Sequence, residues 1–300
     1  MDTVAELNRI SASRIHNAYW NITEAVDSDG KMFKAMKNQL LGIINDIIEK
    51  KRSKKLNQTN DDPEDFLSTL LETPNLSDDL IRDTLIMLLF ASRDTTQNAL
   101  VWSLSELNQK PDWIGKMREE WSIQGQEGSL ARYSDLQRFP IHLAVLYETL
   151  RLWPVIPKNA RIATIDTVLP AIPEAKLPAV KVDKGDYVFW SDYSMMRNTK
   201  VTFHPKYGIW GETAESFDPA HHLSPTGDFM RSPQPKFHGF GAGPRACPGA
   251  QLASYQFIAI WASLLSSFNI MPVEQKERYP TDGLTMMMEG TFMVKIAFIK

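Results

Sequence analysis

The run Lys236-Phe-His-Gly-Phe-Gly-Ala-Gly-Pro-Arg-Ala-Cys-Pro-Gly249 contains Cys247, the one cysteine of the 300-residue chain. Its glycines let the backbone turn where a side chain would clash, so that backbone amides can point at the sulfur. Residues 250–268 follow as an apolar helical run, whose positive N-terminal end would stabilise a thiolate. A lone cysteine is more often a buried structural thiol. The glycines and the nearby Arg245 favour an activated thiolate here.

Composition limits the classes to which the protein can belong. A chain with 43% hydrophobic residues can bury a substantial core, in one large domain or two smaller ones. Its net charge is −3, and no basic cluster is interleaved with aromatics, so we expect no nucleic-acid partner. One cysteine excludes an intrachain disulfide and fits a reducing compartment. We find no apolar window of about 18 residues and no basic or apolar leader, and therefore expect neither a transmembrane helix nor a signal peptide.

Hydrophobic spacing predicts a mainly α fold with small β-sheets. Ser77 is the expected N-cap of an unusually long helix. Helices are expected over residues 1–26, 32–56, 77–108, 111–123, 140–153 and 250–268, with a short one opened by Pro63. Strands are expected at 162–169 and 187–190, and a final hairpin would pair 284–288 with 292–299.

Two polar features in apolar helices leave alternatives open. The run Ser92-Arg-Asp-Thr-Thr96 lies in the middle of the long helix. Either the helix surfaces there, or the hydroxyls bond back to carbonyls one turn earlier. Glu148 and Arg151 are three residues apart and share a helix face, which by itself is typical of an ordinary surface ion pair.

The order Phe240-x-x-Gly243-x-Arg245-x-Cys247-x-Gly249 resembles the haem-binding signature of the cytochrome P450 superfamily, with every fixed position filled. The resemblance implies that Cys247 is the axial thiolate ligand of the iron of haem b. It further implies that Arg245 pairs with a haem propionate and that Phe240 packs near the proximal face. Gly243 and Gly249 become cofactor-binding positions by the same comparison.

The same resemblance suggests a role for the polar run 92–96 in the long helix. Ala91-Ser-Arg-Asp-Thr-Thr96 is similar to the acid–alcohol motif on the family's oxygen-activating helix. That similarity implies that Asp94 and Thr95 deliver protons during catalysis. Ser92 stands where the motif usually has glycine, which would narrow the oxygen groove.

The run Tyr147-Glu-Thr-Leu-Arg-Leu-Trp-Pro154 resembles the family's ExxR helix. The resemblance implies that Glu148 and Arg151 form a buried structural pair. An arginine after Pro219 usually completes a triad with them, whereas this chain has Ala220 and then His221. His221 either donates to Glu148 in place of that arginine or is an exposed loop residue.

Two further stretches would line the pocket in such a protein. Val155 to Arg161 corresponds to the segment that passes over the haem, and Arg161 would reach the second propionate. Met286 to Met288 are candidate substrate contacts, because flexible thioethers suit a lipophilic ligand.

The resemblance covers the whole chain but corresponds to the C-terminal portion of the cytochrome P450 fold, with the N-terminal part missing. We expect a single truncated domain over residues 1–300. Its parts would be helices leading in over 1–75, the oxygen-activating helix over 77–108, the ExxR helix over 140–153, the cysteine loop over 236–249 and the following helix over 250–268.

The implied function is that of a haem-dependent monooxygenase, an iron-containing oxidoreductase. It would insert one atom of O2 into a C–H bond of a lipophilic small molecule, with electrons from an NADPH-dependent reductase. The motifs look most like those of fungal alkane and fatty-acid hydroxylases, and a secondary metabolite is the other substrate class. The family resemblance implies the endoplasmic reticulum membrane surface, or the cytoplasm if the chain starts at its true beginning.

A second hypothesis, from another class, is that the chain is a truncated, non-catalytic remnant that binds haem weakly or not at all. It is favoured by the missing N-terminal part and by the departures at Ser92 and His221. A phosphate loop at 239–243 is excluded, because no strand–loop–helix unit surrounds it and no lysine follows.

Overall fold

A computed structural model describes residues 3–56, 65–125, 133–173, 176–198, 210–234, 236–281 and 284–299. The chain divides into two compact units, Met1–Asp94 and Thr95–Lys300, and the division falls within a long helix. The structure is mostly helical with small antiparallel sheets, which confirms the predicted fold class. The single domain over 1–300 and its inner boundaries stay predictions.

The first unit is helical throughout its described part. Its helices are α1 (Thr3–Ser13), α2 (Trp20–Val26), α3 (Ser28–Leu56), α4 (Phe66–Glu72) and the first half of α5 (Asp78–Gln109). Their apolar faces meet in one cluster of buried side chains: Leu7, Leu40, Ile44, Ile48, Leu67 and Ile81.

The prediction of one helix over residues 1–26 is wrong, because the chain breaks between α1 and α2. At the break the side chain of Asn17 accepts the Tyr19 backbone N–H at 3.0 Å and donates to Thr23 at 2.9 Å. Such local side-chain bonds offer the backbone an alternative to the helix. Conversely, α3 begins four residues earlier than predicted, since Asp27 accepts the Gly30 N–H at 2.7 Å and caps the helix. Pro63, the predicted start of the next helix, lies outside the described residues.

In its described residues, the second unit holds the rest of α5, four more helices and six strands. The helices are α6 (Pro111–Gln124), α7 (Pro140–Leu152), α8 (Asp192–Met196) and α9 (Ala250–Ser267). Short 3-10 segments lie at Tyr133–Arg138, Gly211–Thr213, Pro219–His222 and Gly243–Arg245. The strands are β1 (Lys158–Ile162), β2 (Thr167–Leu169), β3 (Val180–Val182), β4 (Tyr187–Ser191), β5 (Phe268–Pro272) and β6 (Val294–Phe298).

The strands form three antiparallel pairs, β1 with β4, β2 with β3 and β5 with β6. The predicted strand over 162–169 is wrong in its bounds, because β1 ends at Ile162, β2 begins at Thr167, and the two belong to different sheets. The predicted hairpin of 284–288 with 292–299 is wrong, because β6 pairs with β5 instead. The backbone groups of Met286 bond elsewhere than to a partner strand. Its N–H donates to the Val155 carbonyl at 2.8 Å, and its carbonyl accepts from the Trp102 indole at 2.9 Å.

Helix α7 lies at the centre of the second unit. Every residue from His142 to Leu152 is buried. Pro140 occupies the first turn, where its missing N–H costs nothing. The carboxylate of Glu120, on α6, accepts the N–H groups of Ile141 and His142 at 2.7 and 3.1 Å and thus caps α7 from another helix. A helix that is buried on all sides can hold polar side chains away from water, and α7 does so with Glu148 and Arg151.

Among the helices in the described ranges, none combines the length and the apolar character needed to cross a bilayer.

Candidate functional site: the cysteine loop and its support

The thiol of Cys247 is exposed at the end of a tight loop. The Cys247 N–H donates to the Phe240 carbonyl at 2.8 Å, which closes the loop on itself. Gly241 and Gly243 have φ values of 69° and 62°, in the left-handed region that side chains disfavour. The loop therefore depends on glycine at these two positions.

The sulfur lies beside the start of α9. Gly249 is the N-cap residue of this 18-residue helix, and no side chain caps it. A Cβ atom placed on Gly249 would lie 3.9 Å from the Cys247 sulfur, so the sulfur is adjacent to the first helical turn. The helix end carries partial positive charge, which stabilises a thiolate over a thiol.

Two predicted propionate partners present charged groups at the surface of the second unit. Arg245 is exposed on the segment Gly243–Arg245 that leads into Cys247. Arg161 is exposed on β1, where it donates to the Ala160 carbonyl at 2.8 Å and lies 5.2 Å over the Trp190 ring. Within the described part of the chain, neither guanidinium pairs with a carboxylate. These residues fit haem, since the sulfur of an exposed cysteine is a soft metal ligand and the two guanidinium cations suit the propionate carboxylates.

Asp94 is buried at the end of the first unit. Its carboxylate accepts a hydrogen bond from the Asn8 side chain and lies 3.3 Å from the Arg93 guanidinium. Ser92 is exposed, whereas Thr95, the first residue of the second unit, is partly buried. Helix α5 continues unbroken through all of them. The polar patch is thus not simply a stretch where the helix meets water.

Glu148 and Arg151 form a fully buried pair on α7. Two hydrogen bonds join them, from Arg151 Nε to Glu148 Oε2 at 2.8 Å and from Nη2 to Oε1 at 2.9 Å. The other N–H groups of Arg151 donate to backbone carbonyls of Met196, Ala214 and Ser216. All its donors are therefore used, which is the condition under which a buried ion pair is tolerated.

Two histidines join this pair from the segment Pro219–His222. His221 Nδ1 lies 3.1 Å from Glu148 Oε1, in keeping with the first of its two predicted alternatives. His222, which the sequence analysis did not single out, is completely buried, with Nε2 3.2 Å from Glu148 Oε2. The two atoms are close, but their geometry does not meet the angles of a hydrogen bond. The signal available in the sequence was a pair of adjacent histidines in a chain with only six.

The buried setting shifts the pKa values of this cluster. Burial alone would raise the pKa of Glu148, but hydrogen bonds from Arg151 and His221, together with the close approach of His222, outweigh it and hold the pKa well below its ordinary value. Burial lowers the pKa of His222, although Glu148 acts in the opposite direction. The neutral imidazole and the charged carboxylate are therefore the favoured forms.

An aromatic cluster connects α7 to the cysteine loop. Tyr147 stacks on Phe237 with ring centroids 4.7 Å apart and meets Phe240 edge-on at 5.6 Å. Phe240, expected near the haem, is partly buried against this cluster. The loop that carries Cys247 thus rests on the residue that precedes Glu148.

A second histidine contact anchors the beginning of the same loop. His238 Nδ1 lies 3.2 Å from the buried carboxylate of Asp192, which also accepts from Asn159 at 2.7 Å. Neither contact could be predicted from the sequence, because nothing in the local pattern pairs a loop histidine with the start of α8.

The methionines proposed as substrate contacts separate into two kinds. Met286 and Met288 are buried, whereas Met287 is exposed. Burial removes Met286 and Met288 from the surface, so substrate contact stays a prediction for Met287 alone.

Comparison with known proteins finds matches along most of the chain. The family model described as Cytochrome P450 matches residues 1–296. The chain is 30% identical over 86% of its length to cytochrome P450 monooxygenase cyp1 of Mycosarcoma maydis. It is 29% identical over 98% of its length to cytochrome P450 94B1 of Arabidopsis thaliana, and 28% identical over 74% to alkane hydroxylase MAH1 of the same plant. The chain spans 40%, 56% and 40% of these three relatives, respectively.

Proposed function

Because the chain belongs to the cytochrome P450 family, we propose that it binds haem through the sulfur of Cys247 and provides the thiolate side of a monooxygenase site. The observation that supports this most strongly is the cysteine loop. Its sulfur is exposed, its backbone is held by the Phe240 carbonyl, and it lies next to the first turn of α9. A thiol kept only for packing would be buried.

Gly249 and Arg245 of the loop and Arg161 of β1 each have a task in this proposal. Gly249 carries no side chain beside the sulfur, so that a flat macrocycle can approach it. Arg245 and Arg161 are cations suited to the two propionates, which they would hold by charge-assisted hydrogen bonds. When bound, haem supplies the activation of molecular oxygen, and the thiolate favours O–O cleavage by donating electron density.

The proposed reaction converts a C–H bond to C–OH. It consumes one O2, two electrons and two protons, and releases one water. We assign the protons to Asp94 and Thr95, consecutive residues of α5, as the family resemblance implies. A carboxylate that a hydrogen bond holds in place, as Asn8 holds Asp94, can take up and release protons.

The proposed substrate is a lipophilic small molecule with an alkyl chain. Similarity to an alkane hydroxylase supports this class, and the exposed thioether of Met287 suits an apolar ligand. A secondary metabolite of similar apolarity is the other substrate that fits. We assign electron supply to an NADPH-dependent reductase and the site of action to the endoplasmic reticulum surface, as the family resemblance implies.

The test is the carbon monoxide difference spectrum of the reduced, haem-reconstituted chain. We expect a thiolate-type Soret band in the wild type and its loss in Cys247→Ala. Absence of the band in the wild type, or a histidine-type band, contradicts the proposal and favours a non-catalytic remnant. A band that survives in Cys247→Ala refutes the ligand assignment. Asp83→Asn, an exposed substitution in the first unit, serves as the control that keeps the band.

A further inference from the structure

We propose that His222 is a positioning residue for the cysteine loop and that it holds the loop in place only while its imidazole is neutral. The inference rests on the proposed function in one respect, since the loop is taken to present Cys247 to haem. The role of His222 itself follows from contacts within the second unit.

The environment of His222 is unusual for a histidine. The side chain has no exposed surface, and its Nδ1 has no hydrogen-bond partner in the described ranges. Its Nε2 faces the Glu148 carboxylate at 3.2 Å. A buried ring nitrogen without a partner costs free energy, so that an apolar ring would be the more stable choice for packing alone.

Charge decides which form of His222 the site accepts. The titratable groups around it are Tyr147, Glu148 and Arg151 on α7, His221 on its own segment and Lys236 in the loop that follows. Glu148 is the one carboxylate among them, and Arg151 already neutralises it. A proton on His222 would therefore add a second cation among buried side chains. Burial lowers the pKa of His222 for this reason, as does the nearby charge of Arg151.

A chain of direct contacts leads from His222 to the sulfur. The His222 ring meets Phe237 edge-on at 5.7 Å. Phe237 packs so closely on the backbone of Gly239 that a Cβ atom there would lie 2.5 Å from the Phe237 ring. The next residue, Phe240, accepts the N–H of Cys247. Movement of the His222 ring thus displaces Phe237, and Phe237 cannot move without the loop.

The consequence is a loop whose opening takes up one proton. Below the ordinary histidine pKa of 6.5, an opened His222 binds a proton that the closed site refuses. The equilibrium constant for opening then rises by up to about tenfold for each unit by which the pH falls. Above that pH, opening no longer depends on pH through this residue.

Hydrogen exchange of the haem-free, full-length chain between pH 7.5 and 5 tests the inference, with rates corrected for intrinsic exchange. We expect amides of residues 236–249 to lose protection below about pH 6.5, while those at the centre of α9 keep theirs. In His222→Gln, which retains a side-chain N–H near Glu148, the extra loss is expected to disappear. The same loss in His222→Gln overturns the proposal, as does equal loss throughout α9.

His142→Gln is the matched control. His142 is also completely buried and faces a carboxylate, with Nδ1 2.6 Å from Glu120, but no contact connects it to the cysteine loop in the described residues. This variant is expected to keep the acid-dependent opening of the loop. If the acid-dependent opening of the cysteine loop disappeared in His142→Gln as well, it would depend on buried histidines in general. That result would contradict the specific role of His222.

His221→Gln keeps the test decisive if His222→Gln does not fold. A protonated His221 opposes a proton on His222 in the closed site, so its replacement should let the closed site accept that proton more readily and should reduce the acid-dependent loss of protection. An undiminished loss contradicts the inference. Because the exchange measurement needs no haem, a proton-linked loop in a chain that never binds haem overturns only the proposed function.

Discussion

Arg151 donates two hydrogen bonds to Glu148, at 2.8 and 2.9 Å, and neither side chain has any exposed surface. The carboxylate also accepts the Asp218 N–H at 2.8 Å, so that the pair joins α7 to the segment that leads to the histidines. A buried pair of this kind adds little net stability over an apolar pair, but removing one partner leaves a buried charge. Its value lies in fixing one arrangement of the chain around the cysteine loop.

Replacing Arg151 with methionine is therefore expected to lower the free energy of unfolding by about 3–5 kcal/mol, because Glu148 then stays buried without its cation. Urea denaturation measures this directly. The control is Arg9→Gln, which removes the exposed pair with Glu6 and should cost less than about 1 kcal/mol. Similar losses in both variants would contradict the role assigned to burial.

Acid should destabilise the second unit through Glu148. Its folded pKa is held below its ordinary value of 4.5, so the unfolded chain binds the proton more readily. The contribution of Glu148 to stability is full above about pH 4.5 and is lost as the pH falls below it. Unfolding free energies measured from pH 6 to 3 should decline less steeply in Glu148→Gln than in the wild type. Parallel curves for the two proteins would refute the shift.

Gly241→Ala should strain the cysteine loop, since its φ of 69° costs a residue with a side chain about 1–2 kcal/mol. We expect weaker haem binding in a titration followed at the Soret band, with the helical content unchanged. Gly42→Ala is the control, because this glycine lies within α3 and an added Cβ meets nothing within 4 Å. Unaltered haem affinity in Gly241→Ala would show that the loop tolerates another backbone path.

Asp94→Asn should reduce product formation by about 10²-fold if Asp94 delivers protons, while the carbon monoxide band stays intact. The measurement is hydroxylated product formed per O2 consumed, with a medium-chain alkane or fatty acid. Asp83→Asn changes an exposed carboxylate in the first half of α5 and is expected to have no effect. An equal rate in wild type and Asp94→Asn would remove Asp94 from the mechanism.

Features that depend on local pattern could be predicted from the sequence. The long helix α5 follows from the Ser77 cap and its apolar run, and Ser77 Oγ indeed accepts the Leu80 N–H at 3.2 Å. The turn before Cys247 follows from its glycines. Family likeness, rather than helical spacing, indicated that Glu148 and Arg151 belong inside, because two charges three residues apart have the same pattern on a surface.

Features that depend on distant partners could not be predicted. β6 pairs with β5, more than 20 residues earlier in the chain, because Met286 is already bonded to Val155 and Trp102. His222 is buried because Glu148, 74 positions away by number, faces it; its neighbours in sequence contain no sign of that contact. The helix predicted over 1–26 is interrupted by side-chain hydrogen bonds of Asn17, which hydrophobic periodicity does not reveal.

The central claim is that Cys247 ligates haem iron, and iron-edge X-ray absorption of the reconstituted ferric protein tests it most directly. Cys247 is the only cysteine, and a thiolate ligand lies closer to iron than a methionine thioether, so a short iron–sulfur path can come only from this residue. The account predicts that path in the wild type and its absence in Cys247→Ala. A first shell of nitrogen and oxygen alone in the wild-type protein would contradict it.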